Sequence, residues 1–394
     1  MSDSSPGGED GLPFATVLRA LLFLALIFFL NFTSRVVFSP LLPVVSGELG
    51  LDYLDSGSFF FFISAGYFVS ILLSGHVSSR LGHTPTVALS SCLSGVMLLV
   101  LASCTSFTTL RLGLVGIGMT AGLYFPSGLA TIGRMVPSGY LARGMAIHEL
   151  APSLSFVLTP LLCGAALPFI SWRQGLVVLG CILMVVGALY YLRAQKDCGF
   201  GTIPGFSLIM RMVRLPGFWL LTLMFSMAIC STLGIYALLP LYLVTEKGMG
   251  EEAANLLVSL SRISSVFMPI AGGWLGDRFG NRKIMGGVLF LAGVLTVPLG
   301  VSSGLPLVVL IVAQAMVAVC FFPVGFAEIS SLGHGKDKGA AISFLLPLAF
   351  LAGGGILPTL IGGVGDMSRL GYGFVVAGSM MILASLAVFG MKGR

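Results

Sequence analysis

Long apolar runs fill this chain, separated by short polar stretches that gather most of its charge. A run of about 20 residues is what an α-helix needs to cross a bilayer. Counted on that basis, the sequence predicts twelve spans. Six lie near residues 15–43, 55–79, 84–104, 109–133, 142–167 and 174–193, and six near 217–244, 252–277, 283–302, 306–331, 338–363 and 370–390. The expected fold is an all-α membrane protein with twelve transmembrane helices in two six-helix bundles, residues 15–193 and 217–394.

The polar breaks alternate in character. Those with Arg80, Arg134 and Arg143, Arg193 and Lys196, Arg278, Arg282 and Lys283, Lys336 and Lys338, and Lys392 and Arg394 are rich in cations, and the ones between them are poor. By the positive-inside rule the cation-rich side is cytoplasmic, which puts both termini inside in a multi-pass protein of the cell (inner or plasma) membrane. Residues 1–14 are expected to form a cytoplasmic tail. They are polar and weakly acidic and lack the basic start and cleavage site of a signal peptide. Residues 194–216, with Lys196, Arg211 and Arg214, are the one long cytoplasmic connection and read as a linker, in part an interfacial amphipathic helix over 203–213.

The two bundles repeat each other. Leu42-Pro43 recurs as Leu239-Pro240, 197 residues on, and Phe125-Pro126-x-Gly128-x-Ala130-x-Ile132 recurs as Phe322-Pro323-x-Gly325-x-Ala327-x-Ile329 at the same offset. Gly144, Ala146, Ile147 and Pro152 recur as Gly339, Ala341, Ile342 and Pro347, 195 on. Six spans per repeat is an even number, so the two pseudo-symmetric halves share one orientation, with a substrate site expected near mid-membrane between them.

One break stands out: Gly272-Gly-Trp-Leu-Gly-Asp-Arg-Phe-Gly-Asn-Arg-Lys283, a tight glycine-rich turn with charge at the lipid boundary. A degenerate copy, Ser74-Gly-His-Val-Ser-Ser-Arg-Leu-Gly-His-Thr-Pro85, aligns Gly75, Arg80 and Gly82 with Gly273, Arg278 and Gly280. The pattern Gly-x-x-x-Asp-Arg-x-Gly-x-Arg-Lys resembles the signature loop of the major facilitator superfamily of transporters, found between the second and third helices of each half. The resemblance implies a conformational latch of Gly273, Asp277, Arg278 and Arg282. Arg80 remains in the first copy, where Ser79 replaces the Asp and Thr84-Pro85 the Arg-Lys. Arg111-x-x-x-x-Gly116-x-Gly118 resembles a second motif of that family. Span five reads Ser155-Phe-Val-Leu-Thr-Pro-Leu-Leu-Cys-Gly164 and lacks the glycine-rich run of proton-linked drug exporters, which counts against that function.

Composition agrees with the hydropathy pattern. The chain is 56% hydrophobic and 9% charged, against roughly a quarter charged in soluble domains. Its formal net charge of +6 sits in short loops on one side, so it marks topology and not nucleic acid. Of the seven cysteines, Cys92, Cys163, Cys181, Cys230 and Cys320 lie in apolar runs without metal or redox spacing. No nucleophile-elbow, zinc-protease or phosphate-binding pattern is present. A protein that is not an enzyme, needs no cofactor and works as a monomer among membrane lipids is expected.

Ionisable residues inside spans cost about 2.5–3.5 kcal/mol each on insertion scales, so they point to function. There are five: Arg35, Arg111, Glu149, Arg262 and Glu328. Arg35 aligns with Thr232 in the other half, Arg262 with Ser64, Glu328 with Thr131 and Glu149 with Phe344, so the architecture does not require charge at these places. Organic-anion members of the family resemble this chain in carrying an Arg in helix 1 ahead of a Pro. A guanidinium that stays charged and forks onto a carboxylate suits anion capture. Arg35 and Arg262, one per half, are therefore the expected anion ligands, with Tyr67, Tyr124 and Asn31 as polar neighbours. Arg111 reads as holding helix positions.

Glu149, beside His148, and Glu328 lie near the cytoplasmic ends of spans five and ten. They read either as proton carriers or as a gate closed onto Arg134, Arg143 or Arg278. The expected function is secondary transport of a small carboxylate-type anion by alternating access, with protons as the coupling ion. A proton-coupled exporter of neutral or cationic compounds is the rival within transport. A non-transporting lipid-binding or sensor protein on the same fold is the rival outside it.

Overall fold

The computed structural model describes residues 14–194, 199–201, 210, 213–329 and 337–390, and these hold no strand. Ten helices are long and apolar enough to cross a membrane: α1 (Val17–Leu49), α2 (Tyr53–Leu81), α3 (His83–Ala102), α4 (Phe107–Met135), α5 (Arg143–Ala166), α6 (Trp172–Arg193), α7 (Pro216–Thr245), α9 (Asn281–Leu299), α10 (Gly304–Ile329) and α11 (Phe344–Met367). The bent pair Glu251–Val266 and Met268–Phe279, 41° apart, forms α8, and the shorter apolar helix Leu370–Leu386 forms α12. The twelve expected spans are thus present. Most of residues 194–216, the tail before residue 14, and Lys336 lie outside the described residues.

Two spans run further than the apolar count. Helix α1 continues past Pro43 to Leu49, and the hydroxyl of Ser46 donates to the Pro43 carbonyl at 3.2 Å. Helix α11 continues past Gly363 through Asp366 to Met367. Polar residues there end the hydropathy run without ending the helix.

The repeat is visible in the packing. Gly95 of α3 lies against Gly180 of α6, so close that a Cβ on either would come within 2.8 Å of the other's carbonyl oxygen. Gly293 of α9 and Gly378 of α12, each 198 residues on, face each other in the same way, with a Cβ within 2.9 Å. Small residues let backbones approach where lipid offers no hydrophobic drive for helix association. The reversals α2–α3 and α8–α9 each pivot on one glycine, Gly82 (φ 85°) and Gly280 (φ 92°). A left-handed backbone favours glycine there, so the degenerate loop keeps its turn after losing its charges.

Helix α8 reaches α10 through Gly272, where a Cβ would lie 2.5 Å from the Cys320 carbonyl oxygen and 2.8 Å from its Cα. Gly273 is roomier, its Cβ position 3.7 Å from Pro323 Cβ. Gly272→Val should therefore cost about 1–3 kcal/mol of overpacking and lower the melting temperature of the purified protein. Gly273→Ala should leave it within scatter. Equal melting curves for both would refute the close approach.

The halves meet chiefly at the end away from the glycine turns. Gly57 of α2 lies on the backbone of Pro358 and Thr359, and Gly362 of α11 lies on Tyr53 and Leu54. The Asp366 carboxylate accepts the free Tyr53 and Leu54 N–H groups at 2.8 Å each, capping α2 of the opposite half. Gly164 of α5 faces Asn255 and Glu252 of α8.

Candidate functional site

Arg35 lies midway along α1 and is 8% exposed. Its guanidinium carbon stands 4.8 Å from the Phe32 ring centre and 4.3 Å from that of Tyr67, and its Nε has no hydrogen-bond partner. It lines a cavity between the halves with Ser64 and Tyr67 of α2, Leu233 of α7, and Phe350 and Gly354 of α11. No carboxylate lines that cavity.

Arg262 is the last α-helical residue of the first segment of α8, followed by a 3-10 turn, Ile263–Val266, that leads to the bend, and it is 1% exposed. Its Nη2 donates to the Thr232 carbonyl at 2.9 Å, while Nε and Nη1 are buried without partners. Thr232 sits in a π-helical turn, Cys230–Gly234, of α7. Such a turn interrupts the regular hydrogen-bond ladder and often marks a functional site. The neighbouring Ser231 carbonyl takes the Gln314 amide at 2.8 Å. The serines near Arg262 turn back on their own helix: Ser261 bonds Val258, Ser264 bonds Ser261, and Ser265 bonds Arg262 itself.

The two arginines are joined through rings. Phe156 of α5 stands 5.4 Å from the Arg262 guanidinium, 4.8 Å from Tyr236 and 5.2 Å, edge-on, from Phe32. Phe32 in turn carries Arg35. Of the expected polar neighbours, Tyr67 shares the cavity. Asn31 instead binds Ser90 and the Ala121 carbonyl, tying α1 to its own bundle.

Tyr124 lies elsewhere, within the N-terminal bundle. Its hydroxyl donates to the Leu24 carbonyl at 2.9 Å and stands 3.0 Å from His148 Nε2. His148 is fully buried, stacked on Phe28 at 4.2 Å, with Nδ1 3.4 Å from Glu149 Oε1. The Glu149 side chain is 54% exposed and lies within electrostatic reach of both Tyr67 and Tyr124.

A family model described as Major Facilitator Superfamily matches residues 24–271 and 221–392. The chain belongs to that superfamily. It is a membrane transporter and not an enzyme. It is 24% identical over 404 residues to the hexuronate transporter of Bacillus subtilis (strain 168), covering 94% of this chain and 93% of that one. It is 23% identical over 361 residues to the membrane sensor protein UhpC of Escherichia coli (strain K12), covering 82% of this chain and 80% of the other. Among solved structures, a bacterial homologue of the human lysosomal transporter Spinster, inward-facing and occupied, superposes with a TM-score of 0.80 at 16% identity, over 96% of this chain and 97% of that one. At that identity the likeness shows the fold.

Asp277 is exposed, and among the described residues no hydrogen bond or ion pair holds it. Arg278 lies over Trp274 and Phe279, 5.5 Å from each ring. Glu328 is paired with Arg282 at 2.6 Å, which corrects the expected partners Arg134, Arg143 and Arg278. The first turn of α9 packs beside the last turn of α10, whereas Arg278 points out over its aromatic neighbours. The pair stays inside one bundle. Arg80 is exposed. Arg111 binds Asp55 at 2.8 Å and lies over Phe107, holding α2 to α4 as its position suggested.

Sequence reasoning passed over several residues. Glu48 accepts the Trp172 indole N–H at 2.6 Å, and Glu246 accepts the backbone N–H groups of Leu370 and Gly371. Each carboxylate ends the first helix of its half and holds the start of the sixth. Their 198-residue spacing was a usable signal. Phe156 had none, being one of 29 phenylalanines in apolar runs.

Proposed function

We propose that this transporter carries a small organic anion, of carboxylate type, coupled to protons, by alternating access of its two halves. The observation that supports it most is the pair of buried arginines near the junction of the halves. Arg35 has an unpartnered Nε and Arg262 an unpartnered Nε and Nη1, and neither has an ion-pair partner among the described residues. A guanidinium does not give up its proton, and an uncompensated buried charge costs several kcal/mol. The aromatic faces offset part of that. Cation–π contacts contribute about 0.5–2 kcal/mol, less than the roughly 1.5–3 kcal/mol of a hydrogen bond to a charged group, so a carboxylate displaces the rings. Arg35 is the first ligand, and Arg262 joins as the site closes. The hexuronate transporter among the relatives is named for a carboxylate, which agrees with this reading.

Hydrogen counting supports the coupling. The Tyr124 proton goes to the Leu24 carbonyl, which can only accept, so the Tyr124 oxygen takes its contact from a proton on His148 Nε2. Nδ1 of a neutral imidazole is then bare. Its contact with Glu149 is a hydrogen bond only when one more proton lies between them. The His148–Glu149 contact is therefore the candidate seat of the coupled proton. Without that proton Glu149 is an anion within electrostatic reach of Tyr67, on whose ring Arg35 lies. Glu328 is already engaged by Arg282 within its own bundle and is left out of the proton step.

Cations gathered beside the glycine turns support a reading in which that end, and both termini, face the cytoplasm. The halves, packed at the far end, then face inward, and the free Asp277 is a latch for the opposite state. Asp277→Asn should shift the population toward inward-facing by distance measurements between spin labels on the two bundles, and Ser79→Ala should not. Equal shifts would show that the second loop is not the working latch. A second reading, a sensor that binds the anion without moving it, follows from the relative named as a membrane sensor. Proteoliposomes decide: uptake of labelled anion driven by an inward proton gradient supports transport, and binding without uptake supports the sensor.

A further inference from the structure

The walls around Arg35 say more about the anion than its charge. Phe32 and Val36 flank it on α1, Phe60 and Ile63 face it from α2, and Leu233 and Phe350 close it from the other half. Only Arg35, Ser64 and Tyr67 among the lining residues have polar side-chain groups. The polar residues nearest to Arg35 in sequence are already engaged. Asn31 is bound to Ser90 and the Ala121 carbonyl, the Thr33 hydroxyl to Ser155, and the Ser34 hydroxyl to the Asn31 carbonyl. Across the junction, the Gln314 amide is held by Ser231. Few donors or acceptors remain for a ligand beyond what one carboxylate takes.

We infer that the site takes an amphipathic organic anion, one carboxylate on an aromatic or branched aliphatic body, in preference to a polyhydroxylated sugar acid or a sugar phosphate. The inference rests on the reading of Arg35 as the anion's ligand. The carboxylate meets Arg35 beside Ser64 and the Tyr67 hydroxyl. The cavity as it stands has a volume of about 20 Å³, room for one water, so the body enters as the halves part and then lies among Phe32, Phe60 and Phe350, where rings meet edge to face or stacked. Each sugar hydroxyl would instead lose its water in an apolar wall and find no partner, which weakens binding by about tenfold per hydroxyl. Gly354, in the π-helical turn Ala352–Ile356, lends a bare backbone to the wall, and a Cβ there would reach within 2.9 Å of Leu233 and 3.6 Å of Ser64.

The test is calorimetric titration of the full-length purified protein with phenylacetate, glucuronate and glucose 6-phosphate at one pH and ionic strength. Phenylacetate should bind at least about tenfold more tightly than glucuronate or glucose 6-phosphate. Phe350→Gln, which puts a hydrogen-bonding group into the wall, should narrow the gap between phenylacetate and glucuronate. Arg35→Ala should weaken every anion that binds. Glucuronate binding as tightly as phenylacetate, with Arg35→Ala still weakening it, overturns the inference and leaves the anion-carrier reading standing. Absence of binding by all three anions in the parent protein, or binding indifferent to Arg35→Ala, overturns both. The comparison of ligands on the parent protein decides the matter even where a variant fails to fold.

Discussion

Arg35→Ala should weaken anion binding by roughly tenfold to over a hundredfold, the range that loss of one charge-assisted contact of about 1.5–3 kcal/mol implies. The side chain is buried, its Nε lacks a partner, and it lines the cavity between the halves. Its removal therefore deletes a ligand without orphaning a carboxylate. Arg35→Lys keeps the charge and loses the fork, so it should recover binding only in part. Arg262→Ala separates two roles. As an anion contact its loss weakens equilibrium binding on the same scale. As a brace it leaves binding intact and changes transport rate, because its Nη2 holds the Thr232 carbonyl of the π-helical turn. Melting curves without ligand control for that second effect. The readout is calorimetric titration with whichever carboxylate binds the parent protein. Parent-like affinity in both alanine variants would sink the anion-carrier mechanism.

Glu149→Gln should abolish the pH dependence of anion binding and uncouple accumulation from the proton gradient. The sign follows from the shared proton. With the shared proton in place Glu149 carries no charge to oppose a bound anion. With it gone, the Glu149 carboxylate acts on Tyr67, on whose ring Arg35 lies, and anion affinity falls. Glutamine is neutral at every pH, so the variant should bind at high pH as the parent does at low pH. Exchange of labelled for unlabelled anion should persist, while uptake driven by an inward proton gradient is lost. The Glu149 charge reaches Tyr67 and Tyr124, phenols that are not acids near neutrality. Glu328→Gln breaks the Arg282 pair and should leave the pH dependence alone. A Glu149→Gln protein with the parent's pH profile would remove the pair from the mechanism.

Much of this architecture was written locally. Lipid demands apolar length, so counting apolar residues found twelve spans, missing mainly the ends of α1 and α11, where Ser46 and Asp366 interrupt hydropathy but not the helix. The glycine turns were legible because a reversal at a left-handed residue favours glycine, as at Gly82 and Gly280. Arg35 and Arg262 were legible because a charge among apolar neighbours is costly wherever it points. Which side chains meet was another matter. Tyr124 and Tyr67 are equally plausible on paper as cavity residues, yet one binds His148 inside its bundle and the other lies under Arg35. Glu328 was expected to reach Arg134, Arg143 or Arg278 and found Arg282. Phe156 links the two arginines, and Asp366 caps a helix of the opposite half. Burial in lipid depends on composition along one dimension. Contact depends on how each helix is rotated and how closely it crosses its neighbours, and pairs such as Gly95–Gly180 and Gly293–Gly378 set that at sequence distances no local pattern spans.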